Sequence, residues 1–165
     1  MQTDSVLSAI LQSFSRYYDI NTENPVPPFV AEAVFHSHNE QFFLVKAAKI
    51  AQIDSNEYAF FATIPLLSQK TLEELCETAW ETGLSRVKVS SNHRNSDVTL
   101  VIIAEKTEND AFLHVKKIHH HKSYRFGFLG WSDFRVILLE NSSGRVVSNR
   151  AGRDLQKIFK SIKNK

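Results

Sequence analysis

The run Val98 to Ala104, VTLVIIA, constrains the fold more than any other stretch. It carries no charge and almost no polarity, a pattern that suits a strand covered on both faces rather than one with a side turned to water. Such a strand needs a neighbour on each side of it in a sheet. Val98–Ala104 is therefore expected at the sheet centre.

Periodicity supplies the partners. Ser5–Tyr18 places Val6, Ile10, Leu11, Phe14, Tyr17 and Tyr18 at steps of three and four, which predicts a helix, and the prolines of DINTENPVPP form a surface connection that ends it. Phe29–His36, Gln41–Ile53 and Tyr58–Ile64 read as three strands of a meander, with a turn at Asp54-Ser55-Asn56. Thr71–Thr82 is the best-signalled helix. Thr71 and Glu74 have the spacing of a capping box, Leu72, Leu75, Cys76, Ala79 and Trp80 form the apolar stripe, and Gly83 sits where a left-handed cap is expected. Ser90–Asp97 reads as a polar loop, and a third helix opens at Thr107 and Asp110.

The stretch Lys122–Glu140, KSYRFGFLGWSDFRVILLE, predicts a hairpin. One arm alternates Tyr124, Phe126 and Phe128 with Arg125, the other alternates Phe134, Val136 and Leu138 with Arg135, and Gly130–Asp133 connects them. A short strand over Arg145–Ser148 and a final helix capped by Asn149 and reaching about Ile162 complete the chain. The expected fold class is α+β: a single domain over residues 1–165, with a mixed, mainly antiparallel sheet of six or seven strands and about four helices packed against one face.

Charge divides the chain unevenly. Residues 1–111 hold 8 Lys and Arg against 15 Asp and Glu, net −7, whereas residues 112–165 hold 12 against 3, net +9. Either the two parts neutralise each other in the fold, or the basic third is a surface for phosphates or nucleic acid. In the final helix Leu155, Ile158, Phe159 and Ile162 project on one side, with Arg150, Arg153, Lys157 and Lys160 roughly opposite. Together with Arg125 and the aromatics Tyr124 and Trp131, these cations form the candidate polyanion-binding set, since bases stack on rings while Arg and Lys follow a backbone.

No apolar run approaches the ~20 residues a membrane span needs, and MQTDSVLSAILQSF lacks the basic region of a secretory signal, so a cytoplasmic protein is expected. The single Cys76 excludes an intrachain disulfide and a Cys-rich zinc site. There is no P-loop, no Gly-x-Gly-x-x-Gly and no Gly-x-Ser-x-Gly elbow, so no cofactor is expected and no catalytic residue is assigned. His36, His38 and Glu40 alternate along one strand end, and two histidines with one carboxylate make a ligand set for iron or a similar ion, which is the alternative, enzymatic reading. His119-His120-His121 cannot all face one way in a regular element.

Residues 5–104, read as helix, three strands, helix and strand, resemble the restriction-endonuclease-like core in element order. That resemblance implies magnesium held by an acid on the second strand and by Glu-x-Lys on the third. This chain departs from it: Glu57-Tyr58-Ala59 has alanine in the lysine place, and the second strand offers Lys46 and Lys49. The likeness is to a degenerate member. Separately, Ser37-x-x-Glu40-x-Phe42-x-Leu44-x-Lys46, Leu129-Gly130-Trp131 and Asn149-x-Ala151-Gly152-Arg153 resemble segments of a small bacterial family of unknown function, which implies no activity. The resulting expectation is a non-catalytic binding protein whose partner is nucleic acid or another polyanion.

Overall fold

The computed structural model describes residues 3–36 and 54–163. The elements in chain order are α1 (Thr3–Phe14), β1 (Asp19–Asn21), β2 (Ala31–His36), β3 (Asp54–Leu67), α2 (Gln69–Ser85), β4 (His93–Thr107), α3 (Asn109–His114), β5 (His121–Ser123), β6 (Trp131–Glu140), β7 (Val146–Ser148) and α4 (Arg153–Lys163). Short 3-10 turns cover Val115–Lys117 and Arg125–Gly127. The expected strand over Gln41–Ile53 lies outside the described residues.

The seven strands among the described residues form one mixed sheet in the order β1-β2-β3-β4-β6-β5, with β7 also on β6. Its centre is parallel, β4 lying between β3 and β6, while every peripheral pairing is antiparallel. The expectation of a mainly antiparallel sheet is thus corrected where it matters most, because the parallel strands are the longest and lie at the core. Val98–Ala104 occupies the middle of β4 with every residue fully buried or nearly so, as its composition requires.

Helices cover both faces rather than one. Phe60, Leu100, Ile102, Phe134 and Leu138 point to the face closed by α2 and α3, through Leu72, Leu75, Cys76, Ala79 and Ala111. The alternate residues Phe61, Val101, Ile103, Ile137 and Leu139 meet Val6, Ile10 and Phe14 of α1 and Phe159 of α4. A parallel pair needs a crossover, and a crossover places a helix on a face. Both crossovers, β3-α2-β4 and β4-α3-β6, place their helices on the first face, and the terminal helices α1 and α4 close the second, where Val101 and Ile103 of the central strand are equally apolar.

Local details also differ from expectation. The N-cap of α2 is Ser68, whose Oγ accepts a hydrogen bond from the Thr71 backbone N–H at 3.1 Å, in place of the Thr71–Glu74 box. Gly83 lies inside α2, where a Cβ would stand 2.4 Å from a methyl of Val98, so its role is close helix-to-strand approach rather than a left-handed cap. Asp54-Ser55-Asn56 begins β3 instead of forming a turn, β4 starts within the expected polar loop, and β1 arises in the proline-flanked connection.

Candidate polyanion-binding edge

Strand β6 has two edges. One pairs with β4; the other is completed by several short pieces. At its start Ser123, Lys122 and His121 of β5 face Trp131, Ser132 and Asp133, and at its end β7 faces Ile137, Leu138 and Leu139. Between them no strand is present among the described residues, and Asn149 fills the gap. Its Oδ1 accepts from the backbone N–H groups of Val136 (3.0 Å) and Gly152 (2.9 Å), and its Nδ2 donates to the carbonyls of Phe134 (2.7 Å) and Ile118 (3.1 Å). All four amide hydrogen-bonding positions are used in a nearly fully buried side chain, so one residue joins β6, the turn after α3 and the approach to α4. The sequence assigned Asn149 a helix cap; the structure adds the repair of a sheet edge.

Beside Asn149 lies a groove of about 320 Å³, lined by Lys116, Arg150 and Arg153 together with Phe112, Ser148 and Gln156. Gln156 fixes its floor, accepting from Ser148 Oγ (3.0 Å) and donating to the Val146 carbonyl (2.8 Å). Lys116, Arg150 and Arg153 are exposed and form no ion pair among the described residues. Lys157 and Lys160 are exposed further along α4, the former 3.8 Å from Asp154. The opposite side of α4 is anchored by Phe159, fully buried against Phe14, while Ile158 remains half exposed. The amphipathic division is therefore narrower on its apolar side than the spacing suggests.

The other end of the edge departs most from expectation. The first hairpin arm is strand only through Ser123, and residues 124–130 form a loop with left-handed backbone at Arg125 (φ 45), Phe126 (φ 54), Gly127 and Gly130. Positive φ at a bulky residue is uncommon and costs about 1–2 kcal/mol. The loop is nevertheless tightly tied: Tyr124 N–H donates to the Gly130 carbonyl, Leu129 N–H to Tyr124, and His93 Nδ1 lies 2.7 Å from the Leu129 carbonyl. Gly130 is required, since a Cβ there would fall 2.0 Å from the Arg94 carbonyl. Tyr124 is held inward, its hydroxyl 2.9 Å from Ser132 Oγ and its ring edge-on to His93. Trp131 opens β6 and is half-buried. Phe126 and Phe128, which alternation placed on a strand face, are instead 100% and 87% exposed. Arg125, between them and Tyr124, is exposed.

Charge neutralisation between the two parts of the chain is limited. Among the described ion pairs only Arg135, with Asp97 and Glu57, and His114, with Glu73, link residues 112–165 to residues 1–111. Arg145 pairs with Glu140, and His121 with Asp133, inside the basic part itself. Burial pushes the Glu140 carboxyl up, but hydrogen bonds from Ser143 and Arg145 together with the charge of Arg145 outweigh it and hold the group below the usual range.

The acids that the nuclease likeness draws attention to are engaged elsewhere. Glu57 accepts from Tyr18 Oη (2.5 Å) and Thr99 Oγ1 (2.7 Å), and Arg135 reaches it at 3.8 Å while also holding Asp97. Ala59, in the lysine place, is buried in the core. Burial raises the Asp97 carboxyl against the opposing pull of Arg135, and burial, with Glu57 next, drives the Tyr18 hydroxyl far above its ordinary range. With both carboxylate oxygens of Glu57 occupied, the cluster reads as an interior polar clasp.

The histidines separate. His120 stacks on Trp80 at 5.6 Å, burial followed by the charge of His119 lowers its pKa, His121 faces Asp133 at 2.7 Å, and His119 is exposed. Among the described residues no group of three or more His, Cys, Asp or Glu is arranged to hold a metal. His36 closes β2, and His38 and Glu40 lie outside the described residues. Cys76 is buried, and burial, with Glu73 second, pushes its thiol up to about 12, the opposite of an activated nucleophile.

A family model described as a domain of unknown function, DUF8052, matches residues 2–161. The chain belongs to that family. Membership agrees with the resemblance of its Leu129-Gly130-Trp131 and Asn149-to-Arg153 segments to a family of unknown function. No curated protein and no solved structure matches it. No helix among the described residues is long and apolar enough to cross a membrane.

Proposed function

We propose that this protein binds a polyanion, nucleic acid first among the candidates, along the outer edge of β6. The observation that carries the reading is the groove in which Lys116, Arg150 and Arg153 converge without an acidic partner among the described residues, beside the neutral donors and acceptors of Ser148 and Gln156. Unneutralised guanidinium groups facing one cleft suit phosphate oxygens, which accept their paired N–H donors. Sequence reasoning found Arg150 and Arg153 from helical spacing but missed Lys116, which comes from a separate turn. Lys122 and Arg125 continue the positive charge toward the start of β6. The reading is of a binding module rather than an enzyme, working in the reducing cytoplasm that a single, buried cysteine suits.

The test is binding of labelled single- and double-stranded DNA and RNA as salt is varied. Wild type should bind at low salt and weaken steeply as salt rises, because each neutralised phosphate releases counterions. Arg150→Glu with Arg153→Glu should weaken binding about tenfold or more at low salt and flatten the salt slope by roughly one unit per lost contact. Absence of any wild-type binding at low salt would remove the reading.

A further inference from the structure

A rigid loop that displays two bare phenylalanines is not accounted for by charge alone. Phe126 is wholly exposed and Phe128 nearly so, yet the backbone beneath them is fixed by hydrogen bonds from Tyr124, Gly127, Phe128, Leu129 and Gly130. The loop thus holds its rings out in a set conformation, at the cost of left-handed backbone at Arg125 and Phe126. Exposed apolar groups held in this way mark an interaction site. Their neighbours limit what the site takes. Arg125 lies in the same loop, Lys122 sits 5.6 Å from the Tyr124 ring centre, and the groove of Arg150 and Arg153 lies along the same edge of β6. From Trp131, where the loop ends, to Val136, where Asn149 ties in the groove, is five strand steps, or roughly 17 Å.

Resting on the polyanion reading, we infer that Phe126 and Phe128 stack on unpaired bases, so that the ligand of this edge is a single-stranded nucleic acid. Rings at one end and cations leading away from them form the combination that single strands require, within the ~4 to 16 nucleotides such sites cover. A duplex hides its base faces and would leave both rings unused. A lipid surface would use only the cations beside the rings, Lys122 and Arg125, whereas here further cations continue along the strand to the groove.

The experiment compares wild type with Phe126→Ala/Phe128→Ala, using a twelve-nucleotide single strand carrying 2-aminopurine, the corresponding duplex, inorganic polyphosphate, and vesicles containing phosphatidylserine. Both side chains are exposed, so the variant should fold, which an unchanged thermal midpoint verifies. The inference expects wild type to prefer the single strand to the duplex and to change 2-aminopurine fluorescence on binding. It expects the variant to lose about tenfold in single-strand affinity together with that fluorescence change, while polyphosphate binding stays equal. Equal single-strand affinity in both proteins, with polyphosphate bound, would overturn the stacking role and leave the polyanion reading standing. No binding of strand, duplex or polyphosphate would overturn both. Vesicle binding lost in the variant, with strand affinity unchanged, would overturn it in favour of a lipid surface.

Discussion

Arg135 and Arg153 carry the same guanidinium on opposite sides of a structural divide. Arg135 projects from the middle of the sheet, where Asp97 and Glu57 on neighbouring parallel strands meet it, and Tyr18 and Thr99 donate to the two carboxylate oxygens of Glu57. Arg153 begins a helix at the sheet's outer edge and meets no acid among the described residues. A parallel centre covered on both faces makes every charge that enters it find a partner, since an unpaired buried charge is strongly unfavourable. A sheet edge imposes no such demand. Charge that remains unpaired at the edge is accordingly available to a ligand, and the contrast separates what the fold consumes from what it leaves over.

The largest test of that contrast addresses the interior. Leu100→Ala or Ile102→Ala should destabilise by ~2 to 5 kcal/mol in chemical denaturation, because each side chain is fully buried and its removal opens a cavity in a packed layer. A cost near zero would mean that the centre of β4 is not the closed layer on which the comparison rests.

A second, smaller effect sharpens the comparison by pH. Arg135→Met should cost ~2 to 4 kcal/mol near neutral pH, since it strands two largely buried carboxylates. The folded-state pKa of Asp97 lies above its ordinary value, so its contribution is fully present below that ordinary value and is lost as pH rises through the folded value. Arg135 opposes this rise, and its removal should hurt most at high pH. Thermal midpoints of wild type and variant should therefore converge from pH 8 toward pH 4. Glu140 has the opposite sign, losing its contribution as pH falls, but it is common to both proteins and cancels in the difference. A gap that is constant with pH would show that Arg135 acts by packing alone.

The same divide explains which parts of the molecule were legible in the sequence. Burial on both faces leaves an uninterrupted signature, so the centre of β4 was evident, and the stripes of α1, α2 and α4 followed from a spacing local to each helix. Strand direction leaves no such trace, since parallel and antiparallel neighbours bury the same residues. The second helical layer was missed because α1 and α4 lie outside the crossovers, and nothing in a helix's own spacing says which face of a sheet it covers. The loop at 124–130 misled for a different reason: alternating aromatics imitate a strand face, and only the glycines at 127 and 130 hint that the chain turns left-handed there. The groove was half visible, because Arg150 and Arg153 are three residues apart at the approach to α4 whereas Lys116 is brought to them by the hydrogen bonds of Asn149. A polar residue closing a gap in a strand edge has no periodicity to announce it.

The smallest expected change is on the edge itself and is the most discriminating for the charge asymmetry. Arg153 and Lys157 are both exposed, and the sole ion pair between them and an acid among the described residues is the 3.8 Å contact of Lys157 with Asp154, itself fully open to water. Exposed pairs of this kind contribute about 0–1 kcal/mol, and surface substitutions away from special features usually stay within about 0.5 kcal/mol. Arg153→Glu with Lys157→Glu should accordingly leave the thermal midpoint within a few degrees of wild type while binding of nucleic acid falls across sequences. An early-unfolding variant would mean that the basic stripe stabilises the fold by offsetting the acidic first two-thirds of the chain, and the edge would then resemble the interior instead of contrasting with it. Repeating the melt at high salt separates the cases, because the screening length falls from about 8–10 Å at moderate ionic strength to about 3 Å at 1 M and removes long-range compensation between exposed charges, whereas a packing defect is unaffected.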